Sequence, residues 1–199
     1  KAEETEEGAQ FTLADGSSST ADLMTDTNAY PLVTGTGWRA LRLSYTGGAG
    51  SSNLAMDVIL PDNVVSPADL PASTWGEATA ALTAATAEQQ VALKLPKLDL
   101  ASGVMDLFPV LTAMGVELGS LDHIAEDIDA NQAAQQVRLI VDEEGTVAAA
   151  LTEVGIVAAA APDGSGPVEF TVDHPYVLRI VDLASGVAII EAAILNPAG

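Results

Sequence analysis

Strict two-residue alternation limits this chain more than any other feature of its sequence. Leu41, Leu43 and Tyr45 alternate with Arg42 and Ser44, as in a half-exposed strand, and Leu54, Met56, Val58 and Leu60 resume the pattern after a loop of Gly47, Gly48, Gly50 and two serines. Pro61-Asp62 stops that second run. Val91, Leu93 and Leu95 open a third, punctuated by Pro96 and Lys97 and continued by Leu98 and Leu100 as one long strand; Val137, Leu139 and Val141 make a fourth. Successive side chains of a strand point to opposite faces, so runs of this kind fold into sheets with a buried side. Phe11, Leu13, Ala21, Leu23 and Met24 flank Asp15-Gly16-Ser17, which reads as a short hairpin. Helices are few. Residues 73–85 carry a capping box of Thr74 and Glu77, and Asp106 caps a second, short helix with Pro109 in its first turn and Val110, Leu111 and Met114 on the inner face before Gly115 ends it.

At 199 residues the chain can bury a sizeable core as one domain or a tight pair. Asp and Glu number 28 against 7 Lys and Arg, a net charge of −21. Such a surface repels nucleic acid and anionic lipid, and suits a high-salt source in which screening relieves self-repulsion. The run Glu3, Glu4, Glu6, Glu7 reads as a solvated, frayed end. Cysteine is absent, which rules out disulfides and thiolate chemistry. The longest apolar run, residues 154–161, falls far short of the roughly 20 residues that cross a bilayer. Gly35 to Ala40 (GTGWRA) fits a dinucleotide fingerprint superficially, yet strand alternation follows it where a helix is needed. Asp127, Asp129 and Asn131 begin a calcium-loop spacing, but Gln132 stands in place of the glycine and Arg138 in place of the closing Glu, so the stretch reads as a surface turn. His123 and His174 lie far apart in sequence with no nucleophile signature near them, and are expected to pack rather than catalyse.

Residues 143–162 read EEGTVAAALTEVGIVAAAAP. Alanine favours helix and Thr146 could cap one, yet taken two at a time Thr146, Ala148, Ala150, Thr152, Val154, Ile156 and Ala158 form an uncharged strand face. Helix, coil and half-buried strand are all open to it, as suits a loop that changes state. Glu143, Glu144, Gly145, Thr146, Ala148, Ala149, Ala150 and Thr152 match the hinge pattern of the serpins, Glu-Glu-Gly-Thr-Glu-Ala-Ala-Ala-x-Thr, with Val147 where the family usually has Glu. VALKLPKLDL resembles the family's Leu-Pro-Lys-Phe segment, LRLSYTGG with LAMDVILPD its paired strands, and FTVDHPYVLRIVD with AIIEAAILNP its C-terminal close. The chain thus resembles a serpin from Phe11 to Pro197, in the family's order.

The resemblance implies an α+β fold, the β-rich C-terminal portion of a serpin (residues 1–199), with strands of the main sheet, a barrel-like region, short helices, and a hinge and reactive loop at residues 143–166. The helical N-terminal half has no counterpart here, so a fragment or one piece of a nicked protein is expected. The implied activity is inhibition of a serine-type endopeptidase as a suicide substrate, by loop insertion, without enzymatic activity, cofactor or metal. The family's spacing puts the cut between Ala159 and Ala160, and Val157, Ala158 and Ala161 beside it suit a shallow pocket, that of an elastase-like or subtilisin-like protease. The alternatives are a non-inhibitory serpin acting as carrier, chaperone or scaffold, and an inactive fragment of an inhibitor. The family implies secretion to the extracellular space, although no signal peptide is visible in this chain; no nucleic-acid or membrane partner is expected.

Overall fold

The computed structural model describes residues 4–47, 50–116, 132–143, 145–146, 149–150 and 166–198. Its strands in chain order are β1 (Glu4–Thr12), β2 (Ser18–Tyr30), β3 (Leu32–Gly35), β4 (Trp38–Gly47), β5 (Gly50–Pro61), β6 (Gln89–Pro96), β7 (Leu98–Ala101), β8 (Met105–Asp106), β9 (Ala134–Gln135), β10 (Arg138–Asp142), β11 (Gly145–Thr146), β12 (Ala149–Ala150), β13 (Val168–Thr171), β14 (Tyr176–Asp182) and β15 (Ala188–Ile194). Helices α1 (Ser73–Ala84) and α2 (Phe108–Ala113) join them, so the fold is β-rich with short helices, as expected. None of the described helices is long and apolar enough to cross a membrane. The chain forms two compact units, one of Lys1–Asp99 with Ile140–Gly199, the other of Leu100–Leu139.

In the first unit, one sheet has the order β1-β2-β6-β13 and another the order β15-β14-β5-β4-β3. The β1–β2 turn forms as the sequence predicts. Gly16 adopts φ 82°, and the Asp15 carboxylate accepts from the Ser17 N–H at 2.9 Å and its hydroxyl at 2.6 Å, which lowers the pKa of that carboxyl. The hairpin is not short, however. β2 runs on to Tyr30 because its far half pairs with β6, Met24 opposite Leu95 and Asn28 opposite Val91.

The five-stranded sheet is covered on both faces. Ala78 and Leu82 of α1 pack with Trp38, Ala40, Ile59 and Val177 on one side, while Leu41, Met56, Val58 and Leu178, on the alternate positions, are fully buried too. A sheet buried twice over does not keep polar residues on an open face, and Arg42, expected half-exposed, is 5% exposed. GTGWRA closes the β3–β4 hairpin, with Gly37 at φ 80° and no helix after it; a Cβ on Gly35 would collide with the Trp38 indole.

The Thr74–Glu77 capping box does not form. Thr74 is already inside α1 and buried, its N–H bonded to the Pro71 carbonyl at 2.9 Å, and the cap position falls to Ala72, which has no side chain to offer. In the second unit β8 pairs with β9. The Asp106 carboxylate accepts from the Phe108 N–H at 2.9 Å at the start of α2, and Gly115, at φ 81°, follows its end. No residue of α2 is buried, contrary to the inner face expected of it, and Met114 is 75% exposed. Three apolar residues on a helix of under two turns are too few to fix which side faces protein.

Candidate functional site

The run 91–100 is two strands in two sheets, not one long strand. Pro96 has no N–H to continue a ladder, and the Lys97 N–H bonds to the Asp22 carbonyl at 2.8 Å. Beyond that point β7 leaves the first sheet and joins another, of order β12-β11-β10-β7. Lys97 therefore stands where the chain changes sheets. Its Nζ lies 2.5 Å from Glu143 Oε1, and Thr5 Oγ1 donates to the same oxygen at 2.5 Å. One carboxylate oxygen thus joins β1, the β6–β7 junction and the residue that follows β10.

The electrostatics follow from those contacts. Hydrogen bonds from Lys97 and then Thr5 hold the Glu143 carboxyl down to about 2, from an ordinary 4.5. The same hydrogen bond raises the Lys97 pKa, and Asp22 and Glu7 add to the effect. The pair is nonetheless open to water, with side chains 34% and 30% exposed for Lys97 and Glu143.

After Glu143 the chain reverses. Gly145 pairs with Asp142 and Thr146 with Val141, antiparallel, and Val141 is buried. A second reversal sets Ala149 opposite Thr146 and Ala150 opposite Gly145. Of the predicted hinge, Glu143, Gly145, Thr146, Ala149 and Ala150 thus come together in and beside one ladder. Glu144, Ala148 and Thr152 lie outside the described residues, as do Val157, Ala158, Ala159, Ala160 and Ala161, together with His123 and the Asp127–Asp129–Asn131 turn. Among the described residues no three His, Cys, Asp or Glu side chains gather to hold a metal.

The chain re-enters the described structure at β13, which lies parallel to β6. Arg39 fastens it from β4: Nη1 donates to the Glu169 carbonyl at 3.0 Å, and the guanidinium stands 5.1 Å from the centroid of the buried Phe170 ring. His174, 8% exposed, packs between Asp173 Oδ1 and the Pro61 carbonyl, each at 2.7 Å.

A second charged cluster escaped the sequence reading. Arg42 stands opposite Asp57, Asp57 opposite Arg179, and Arg179 opposite Glu191, an alternating row across β4, β5, β14 and β15. Arg42 holds Asp57 with two bonds, Nε to Oδ1 at 2.6 Å and Nη2 to Oδ2 at 2.9 Å. The Thr79 hydroxyl of α1 donates to Asp57 Oδ2 at 2.9 Å and accepts from Arg179 Nη1 at 2.7 Å. Arg179 Nε reaches Glu191 Oε2 at 2.8 Å, without the alignment of a hydrogen bond. A signal was available, because Arg42 and Asp57 are equidistant from the glycine loop that joins two alternating runs.

These sheets have known relatives. The family model Serpin (serine protease inhibitor) matches residues 1–197. Serpin-Z1A of Triticum aestivum is 28% identical over 204 residues, covering 94% of this chain and 50% of the relative. Among solved structures, a serpin from the trematode Schistosoma haematobium superposes with a TM-score of 0.74 at 22% identity, covering 97% of this chain and 51% of the other. Human thyroxine-binding globulin, in a thyroxine complex, gives 0.71 at 18%, covering 97% and 50%. The chain spans about half the length of the curated relatives it matches. With nearly its whole length matched by that one family, the chain belongs to the serpins.

Proposed function

We propose that residues 1–199 are the C-terminal portion of an inhibitory serpin, with its hinge and reactive loop at residues 143–166. A target serine protease attacks the bond between Ala159 and Ala160; its serine oxygen bonds to the Ala159 carbonyl carbon and the Ala160 amine leaves, giving an acyl-enzyme. The freed loop adds as a strand beside β10 before water cleaves the ester, and the protease stays attached. Val157, Ala158 and Ala161 keep the site small, which favours an elastase-like or subtilisin-like target, met outside the cell.

One observation carries this reading: the hinge already runs antiparallel along β10, Thr146 opposite Val141. Continued in the same register, Ala148 would meet the buried Leu139. The fold-back of Ala149–Ala150 onto β11 would be exchanged for pairing with β10. Roughly ten new ladder bonds at about 1 kcal/mol each amount to on the order of 10 kcal/mol, comparable with the stability of a whole domain.

In the complete protein the expected result is an SDS-resistant complex with an elastase-like or subtilisin-like enzyme, and a higher melting temperature after cleavage within residues 157–161. A loop that is cut with neither outcome would assign the chain to a carrier, chaperone or scaffold role instead.

A further inference from the structure

An open cavity of about 240 Å³ is lined by Thr20, Ala21, Asp22, Lys97, Pro197 and Ala198. Two of its walls carry opposite charges, and the backbone sets them side by side: the Lys97 N–H donates to the Asp22 carbonyl at 2.8 Å. Among the described residues the two side chains make no ion pair with each other. Lys97 Nζ goes to Glu143, and Asp22 Oδ1 accepts from the Gly8 N–H at 2.9 Å, where an irregularity in β1 sets Gly8 at φ 64°. An ammonium has three N–H groups and a carboxylate about four acceptor sites, so each keeps capacity after those bonds. Asp22 is exposed and Lys97 about a third exposed, while Pro197 is buried and fixes the turn at residues 196–198 as a further wall.

We propose that this cavity binds a small zwitterion, a free amino acid, with its ammonium on Asp22 and its carboxylate on Lys97. Charge selects the class. A chain of net charge −21 repels a free anion and attracts cations to the whole of its surface, whereas a molecule that is neutral overall is held only where a fixed cation and a fixed anion stand together. Size agrees. The cavity is smaller than the roughly 300–1,000 Å³ of pockets for drug-sized ligands, and at about 30 Å³ per water it has the room of about eight waters. Ala21, Pro197 and Ala198 leave space for a short apolar side chain. The ligand carboxylate would share Lys97 with Glu143, so the two contacts are coupled, and each weakens the other by the same factor. The inference goes beyond the inhibitory reading and needs no protease; its failure leaves that reading standing.

The test titrates the 199-residue chain with glycine, β-alanine and γ-aminobutyrate, which set the two charges progressively farther apart, and follows the Asp22 and Lys97 amide signals by NMR. At least one of the three is expected to bind saturably, about tenfold more tightly than acetate or methylammonium, which carry one charge each. Asp22→Asn and Lys97→Met should each weaken it about tenfold, and Ala198→Leu, at an exposed position, should block the cavity with both charges in place. Glu143→Gln should tighten binding, and saturating ligand should raise the Glu143 midpoint from about 2. Acetate binding as well as the zwitterions would mean that Lys97 alone captures any carboxylate, and equal binding of methylammonium that the net charge attracts any cation; either result would overturn the proposal. No saturable binding, or binding that Ala198→Leu leaves unchanged, would overturn it as well.

Discussion

The hinge cluster and the row beneath α1 are built from the same parts. In each a carboxylate meets a cation and also accepts a threonine hydroxyl, Glu143 with Lys97 and Thr5, Asp57 with Arg42 and Thr79. Water makes the difference. Lys97 and Glu143 are each about a third exposed, so either can be solvated when the other leaves; Asp57 is fully buried, and without Arg42 it would keep only the Thr79 hydroxyl and the neighbouring Arg179, with no water to replace the two bonds lost. Exposed pairs contribute about 0–1 kcal/mol, whereas removing one partner of a buried pair costs about 3–5 kcal/mol. On the proposed reading, in which residues 143–152 are a hinge that moves, a contact that opens with it belongs in the first class. A contact that holds a helix to a sheet belongs in the second.

The largest effect should follow Arg42→Met, which leaves Asp57 buried without its cation. A loss of about 3–5 kcal/mol is expected in urea unfolding, and Arg42→Met with Asp57→Leu together should recover most of it. If the single and double variants lose equally, packing rather than charge holds that row. Lys97→Met should cost far less stability than Arg42→Met, yet speed amide exchange at Gly145 and Thr146. Slower exchange there, or a loss as large as that of Arg42→Met, would erase the contrast between the two clusters.

Acid acts on the Glu143 pair. The Glu143 pKa is lower folded, about 2, than in an ordinary carboxyl, 4.5, so its contribution is complete above the higher value and drains away as the pH falls toward the lower. A carbon-detected titration should show Glu143 with a midpoint near 2 in the parent and closer to 4.5 in Lys97→Met. Equal midpoints would remove Lys97 as the cause. The smallest effect concerns salt. Screening should raise the unfolding midpoint of this −21 chain, while the gap between parent and Arg42→Met changes by less than about 0.5 kcal/mol up to about 1 M KCl, because water-borne ions do not reach the row.

The alternating runs at residues 41–45 and 54–60 revealed the strands because the period of two is a local property. What covers each face is not. Arg42 looks like a solvent-facing residue until α1 lies over it, and its equal spacing with Asp57 from the glycine loop, which places the two opposite each other, was the one trace of the pair in the sequence. The same limit hid the change of sheet at Lys97. Pro96 was visible as punctuation, but the bond from Lys97 to Asp22 depends on β2, far away in sequence. Glu143 was legible as part of a motif; its partners Lys97 and Thr5, from distant strands, were not.

The central claim is that Thr146 leads the loop into the sheet beside β10, opposite the buried Val141. The most direct measurement is the number of moles of inhibitor consumed per mole of protease silenced, in the complete protein, for Thr146→Arg and Val147→Glu. An arginine there would carry a charge to a buried position as insertion begins, a cost of several kcal/mol, and each 1.4 kcal/mol slows that step about tenfold against hydrolysis. Thr146→Arg should therefore raise the ratio at least about tenfold, with the same bond cut, while Val147→Glu leaves it at the parental value. Identical ratios for both variants and the parent would contradict the assignment of the hinge.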